Sequence, residues 1–180
     1  MMTKQTDSIR FGITQSGVPA TVILSWAEIL ESPHPALLHA ERMQPYNQQT
    51  KEGQPLYEND ILSLKPKDLD ENDGFWGSGV GKKARDIGVD DIQLHLSPQG
   101  HEPMTAILYL LKDGRPVTEH EFYEPNSLSN RESEVWRETG VDMLFIRYLL
   151  HKGAVLIGNS WDHPHLTDAY QNKDKILRNM

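Results

Sequence analysis

The reactive side chains of this chain are histidine and carboxylate. Its 180 residues include eight histidines, 26 Asp and Glu, and no cysteine. The segment "WDHPHLTD" (161–168) sets His163 and His165 two residues apart, between Asp162 and Asp168. On an extended backbone, side chains two apart point the same way, so this pair could share one metal ion. Asp162 or Asp168 would add an oxygen, and the acids of "EHE" (119–121) would have to supply the rest. Pro164 between the histidines favours an extended or turn backbone. The competing reading is a polar turn running into a helix that Thr167 or Asp168 caps.

Two further placements fit acid–base chemistry. His95-Leu96-Ser97 and His165-Leu166-Thr167 each set a hydroxyl two residues after a histidine. One histidine would take a proton, the other would give one, and the hydroxyls would hold a phosphate. The pair resembles the signature of two-histidine phosphoesterases, in which each motif lies within a strand; "IQLHLSP" fits that context and "DHPHLTD" departs from it. Glu119 and Glu121 flank His120, and strand alternation would place the two carboxylates on one face. Such neighbours raise one another's pKa when buried, which makes a general acid. A charged edge strand that resists aggregation explains them equally well. The catalytic candidates are therefore His95, His165, Glu119 and Glu121, and the metal candidates His163 and His165.

The glycine run "WGSGVGKKARDIG" (76–88) meets neither phosphate-binding pattern. A P-loop needs glycine where Trp76 stands and Ser or Thr where Lys83 stands, and the dinucleotide fingerprint needs a third glycine at Lys82. Gly79-Val80-Gly81 before a helix resembles the acyl-CoA-binding loop of GNAT acetyltransferases, from which this chain departs at Trp76 and in lacking a strand directly before the loop. "DLDENDG" (68–74) puts Asp68, Asp70 and Asn72 at calcium-loop spacing, but the turn glycine comes one residue late and the twelfth position is Gly79. Nothing in the sequence requires a cofactor.

Net charge is -8 and the pI is near 5.4. That disfavours a nucleic-acid partner and suits a basic protein, as immunity proteins, antitoxins, inhibitors and secretion chaperones bind. Asp68, Asp70, Glu71 and Asp73 would form an acidic patch. Trp76 and Trp161, in Gly- and Pro-bearing loops, would be hot spots if exposed. Binding of a protein partner is the leading expectation. A small histidine–carboxylate enzyme, metal-dependent or a phosphoesterase, is one alternative. A small-molecule sensor with a pocket lined by Tyr109, Phe145 and Tyr148 is the other.

The elements that would position these residues read as one domain over 1–180, loop-rich between 45 and 79. The absence of cysteine rules out disulfides and thiolate sites. "MMTKQTDSIRFG" has no signal-peptide core and no apolar run is long enough to span a membrane, so the expected setting is cytoplasmic. Strands are predicted at 9–17, 56–64 and 91–97, and a hairpin turns at Asp113-Gly114 within 104–124. Residues 141–150 and 154–158 read as two further strands, the first with a buried helix as alternative. Residues 20–32 are ambiguous between strand and helix, β-branched in the front half and helix-favouring in the back half. Helices are predicted at 34–43, 80–88, 127–140 (capping pair Ser129 and Glu132) and 166–179. The class is α+β: a mixed or mainly antiparallel sheet built from hairpins, with helices mostly on one face.

Overall fold

The computed structural model describes residues 8–31, 37, 40–96, 105–125 and 133–167. The chain opens with a hairpin, β1 (Ser8–Gln15) and β2 (Val18–Ser25). Its turn residues Ser16 and Gly17 both have positive φ, as a tight hairpin whose twist matches its strands requires. β3 (Glu41–Met43) pairs with the other side of β1, giving the order β2-β1-β3. β4 (Pro45–Gln49) and β5 (Pro55–Tyr57) form a small ladder. The central sheet has the order β10-β8-β7-β6-β11. It comprises β6 (Asp60–Leu64), β7 (Asp91–Leu96), β8 (Ala106–Lys112), β10 (Arg137–Val141) and β11 (Val155–Asn159), with the two-residue β9 (Arg115–Pro116) also on β8. Every pairing is antiparallel, so the predicted α+β class with hairpin-built sheets holds.

The helices are α1 (Trp26–Glu31), α2 (Gly74–Gly77), α3 (Gly79–Ile87), α4 (Glu119–Tyr123) and α5 (Met143–His151), and residues 165–167 are helical at the end of the described residues. Their apolar residues Phe75, Ala84, Ile87, Phe122, Ile146, Leu149 and Leu150 join one core with Leu62, Leu64, Ile92, Leu94, Leu96, Leu108 and Leu110 of the sheet. No helix among the described residues is long and apolar enough to cross a membrane.

The predicted helix at 80–88 is α3. Ser78 caps its start by accepting from Gly81 N at 2.9 Å, and Gly88 closes it in the left-handed conformation. Gly81 sits where a Cβ would lie 1.9 Å from the Phe75 carbonyl oxygen, so this glycine is demanded by the packing of α2 on α3. Gly81→Ala should therefore lower stability by about 2 kcal/mol or more, as overpacking against backbone does. Gly79→Ala, with open space around its Cβ position, is the control. Equal urea midpoints for the two variants would contradict this.

Four expectations change. Residues 119–123 form helix α4 instead of the second hairpin arm. Thr118 and Glu121 make a reciprocal capping box: Glu121 N donates to Thr118 Oγ1 at 3.3 Å, and Thr118 N donates to Glu121 Oε2 at 2.9 Å. Residues 143–151 form helix α5, because Asp142 caps Phe145 N at 3.0 Å and Ile146, Leu149 and Leu150 recur at helical spacing on the buried side. Residues 137–141 are strand β10 instead of helix, paired with β8 and preceded by Trp136 stacked on Phe122 at 4.1 Å; Ser129 and Glu132 lie outside the described residues. Residues 45–79 are largely structured, carrying β4, β5, β6, a short 3-10 helix (Pro66–Asp68) and α2. Within them, 56–64 is two strands divided at Asn59, whose φ is +67°. Of the helix predicted at 34–43, residues 41–43 are strand and most others lie outside the described residues, as does nearly all of 166–179.

Candidate functional site

A cleft of about 580 Å³ lies between the N-terminal sheet and the edge of the central sheet. β1 and β2 contribute Arg10, Thr21, Val22 and Ile23, and β6 contributes Asp60. β11 and the turn after it contribute Leu156–Asn159, Asp162 and His163. Arg10 and Ile23 are register partners, as are Gly12 and Thr21, so all four share one face of the β1–β2 ladder. That face looks onto the 159–163 turn. Trp161 packs against Gly12, where a Cβ would stand 2.7 Å from the ring, and its Nε1 donates to Ile13 O at 3.0 Å.

The charges of the cleft are ordered by burial. Asp60 is fully buried and pairs with Arg10, itself 6% exposed. The Tyr57 backbone N–H donates to Asp60 Oδ2 at 2.8 Å, and the Tyr57 ring lies 4.4 Å from the Arg10 guanidinium carbon. Burial pushes the Asp60 carboxyl up to about 6 against the pull of Arg10 and the Tyr57 amide; the nearby Asp162 charge adds to the rise.

Asn159 shapes the turn. Its Oδ1 accepts from Trp161 N at 2.9 Å and from Asp162 N at 2.8 Å. Its Nδ2 donates to Asp162 Oδ2 at 3.1 Å, and Thr21 Oγ1 donates to the same oxygen at 2.9 Å. The other oxygen, Asp162 Oδ1, is buried and accepts no hydrogen bond among the described residues. His163 Nδ1 accepts from Asn159 N at 3.4 Å, a role open only to an unprotonated ring nitrogen.

The sequence-derived candidates fall in several places. His163 and His165 do approach, with ring centroids 5.8 Å apart, but His163 lies in the turn and His165 opens a helical stretch, neither on a strand, and His165 is exposed. Among the described residues no three His, Asp or Glu side chains gather to hold a metal; Asp168 lies outside them. His95 is on β7, 4.6 Å from the Tyr109 ring, far along the chain from either histidine of the turn. Burial depresses its pKa to about 4. Its Nε2 lies 3.3 Å from Gln93 Oε1, and Gln93 Nε2 donates to Asp91 Oδ2 at 3.1 Å. Asp91 in turn accepts from Ser63 Oγ at 2.6 Å and pairs with Lys65 at 3.1 Å. With the Gln93 amide turned towards Asp91, its oxygen faces His95, so His95 Nε2 carries the proton. Ser97 lies outside the described residues.

Glu119 is exposed, whereas Glu121 is bound by the capping box and by both guanidinium nitrogens of Arg115. That ion pair, more than any other influence, lowers its pKa to about 2. Asp68, Asp70 and Glu71 are exposed, and Asp73 is buried. Asp73 caps α2 by accepting from Phe75 N at 2.9 Å, accepts a hydrogen bond from the Tyr148 hydroxyl and meets Lys152 Nζ at 2.5 Å. Burial works to raise its pKa, but Lys152 and the Phe75 N–H prevail and hold it below the ordinary value. Trp76 is half-buried, donates to Asp70 O at 3.1 Å and carries Arg85 4.7 Å from its ring. Tyr109 lies on the sheet against His95, while Phe145 and Tyr148 lie on α5, with Phe145 beside Phe75.

Arg10, Asp60, Thr21 and Asn159 were not singled out from sequence. For Arg10 and Asp60 the one signal was a charge set directly beside apolar strand residues, in "IRFGI" and "NDILSL"; Thr21 and Asn159 carried none. No family model, no curated protein and no solved structure matches this chain.

Proposed function

We propose that this protein acts by binding a basic protein partner, and that β2 with α1 is the surface it presents. The observation that carries this reading is the exposure of residues 18–31. None of them is buried, although Val18, Ile23, Trp26 and Leu30 are 63%, 48%, 52% and 77% exposed. A six-residue helix does not persist in water by its own propensity, and large apolar residues left exposed along an edge strand and the helix that follows it suit an interaction surface. The same stretch carries Glu28 and Glu31 and no cation, so its charge suits a basic partner. The exposed carboxylates of Asp68, Asp70 and Glu71 add to that field, whereas Asp73 is spent internally and Trp161 is committed to Gly12. The charge of -8 disfavours nucleic acid. We also take the helices to lie mostly on the face of the central sheet that carries Leu62, Ile92, Leu94 and Leu108. The Asp91–Gln93–His95 face would then be turned towards other parts of the chain.

Affinity capture from an extract of the source cells tests this, with the full chain and an Ile23→Asp/Leu30→Asp variant as paired baits. The native chain should retain a basic protein at low salt, and the variant should retain at least tenfold less of it. Identical captured sets, or capture indifferent to salt, would overturn the reading.

A further inference from the structure

The cleft beside β2 has two properties that together specify an occupant. First, it runs along strand edges. Thr21, Val22 and Ile23 are consecutive in β2, and Leu156 to Asn159 are consecutive in β11, yet all line it. Successive side chains of β2 point to opposite faces, so a space that three consecutive residues line extends past the face to the edge of that strand; in β11 the bulge between Leu156 and Gly158 breaks the alternation. β2 ends the order β2-β1-β3, and β11 ends the order β10-β8-β7-β6-β11. Among the described residues no strand pairs with the outer side of either, so each edge offers backbone donors and acceptors that a neighbouring strand would pair. β2 carries none of the charged residues that usually blunt an edge, and its one proline, Pro19, stands near its start.

Second, the cleft holds more carboxylates than cations. Arg10 is consumed by Asp60. Asp162 has no ion-pair partner among the described residues, and its Oδ1 is buried without a hydrogen bond. His163 Nδ1 is turned inward to the Asn159 amide, from which it accepts at 3.4 Å. A buried carboxylate oxygen left without a donor is costly, and a cation entering the cleft would satisfy it.

We infer that the cleft takes an extended segment of the partner, added as a strand along β2, with a lysine or arginine side chain directed to Asp162. The inference rests on the partner-binding reading above and gives it a mode: backbone pairing supplies affinity, and one cationic position supplies specificity. The volume of about 580 Å³ lies within the range of ligand clefts and suits a few residues.

A display library of random twelve-residue peptides, selected on the full chain, provides the test. Selected peptides should share an alternating apolar frame with Lys or Arg at one fixed position. Resynthesis with Met at that position should weaken binding at least tenfold on the native chain and leave it unchanged on Asp162→Asn. N-methylation of alternate backbone nitrogens in the peptide, which leaves the protein untouched, should abolish binding in one of the two phases. Selection of peptides with no fixed cation, full tolerance of N-methylation, or an undiminished Lys preference on Asp162→Asn would overturn the inference. Methylguanidinium binding as tightly as the peptides would do so too, as would self-association of the chain through β2 in sedimentation. Peptides that bind Asp162→Asn normally but fail on Leu30→Asp would remove the cleft and leave the partner surface standing. If no peptide is selected and the capture experiment is also negative, both readings fall.

Discussion

Arg10→Met should lower stability at pH 7.5 by about 3–5 kcal/mol, the usual cost of leaving one member of a buried ion pair alone. Asp60 is fully buried, and without Arg10 it keeps one donor, the Tyr57 N–H, in the field of Asp162. The double variant Arg10→Met/Asp60→Asn should recover most of that loss and come within about 1–2 kcal/mol of the native chain. It removes both charges while an asparagine oxygen still accepts from Tyr57 N. The cost of Arg10→Met should also shrink as pH falls towards 6, because Asp60, freed from the lowering pull of Arg10, takes up its proton above 6 and then has less need of a counter-charge. Urea denaturation of both single variants and the double variant measures the coupling. Additive effects of the two single changes would mean that the pair is not energetically linked.

That ion pair also shows which parts of the molecule were legible in sequence. Features set by a few adjacent residues could be read: the Asp113-Gly114 turn, the helix of residues 80–88 with its Gly88 stop, and the strand-forming front half and helix-favouring back half of residues 20–32. Each is governed by local backbone sterics and capping. The errors came where two local signals competed. In residues 118–123, alternation suggested a strand, but Thr118-x-x-Glu121 was a capping box and the capping box prevailed. In residues 141–150 a continuous apolar run fitted strand or buried helix, and Asp142 at its head was the signal that decides. The cleft was least legible of all. Arg10 and Asp60 are 50 residues apart, and Thr21 and Asp162 are 141 apart. Their meeting depends on sheet order, which no local pattern encodes. Trp161 was noticed as a loop aromatic, yet what fixes it is the missing side chain at Gly12, so neither residue is interpretable without the other.

His95→Gln should convert a flat pH–stability profile into one that rises on acidification. In the folded chain burial holds His95 near 4 instead of 6.5. Between those values the unfolded chain binds a proton that the folded chain refuses, so stability is lost as pH falls. The full window corresponds to about 3 kcal/mol. Asp60 acts in the opposite sense. Its folded value of about 6 exceeds the ordinary 3.8, so the folded chain binds a proton first and gains stability as pH falls through that window, also by about 3 kcal/mol. The two windows overlap almost completely, and the native chain should therefore show little net change between pH 6.5 and 4. Glutamine at position 95 does not titrate and retains an amide able to donate to Gln93 Oε1. With it in place the Asp60 contribution stands alone, and urea midpoints should climb as pH drops from 6.5 towards 4. Below about 4.5 the climb should bend over, because Glu121 and Asp73, both held below their ordinary values by cationic partners, then begin to lose those partners. The Glu121 share is small for its shift, since Arg115 is 54% exposed and the pair is screened by solvent. A His95→Gln profile that stays flat, or that falls with acid from pH 6.5 onward, would show that His95 and Asp60 do not offset one another.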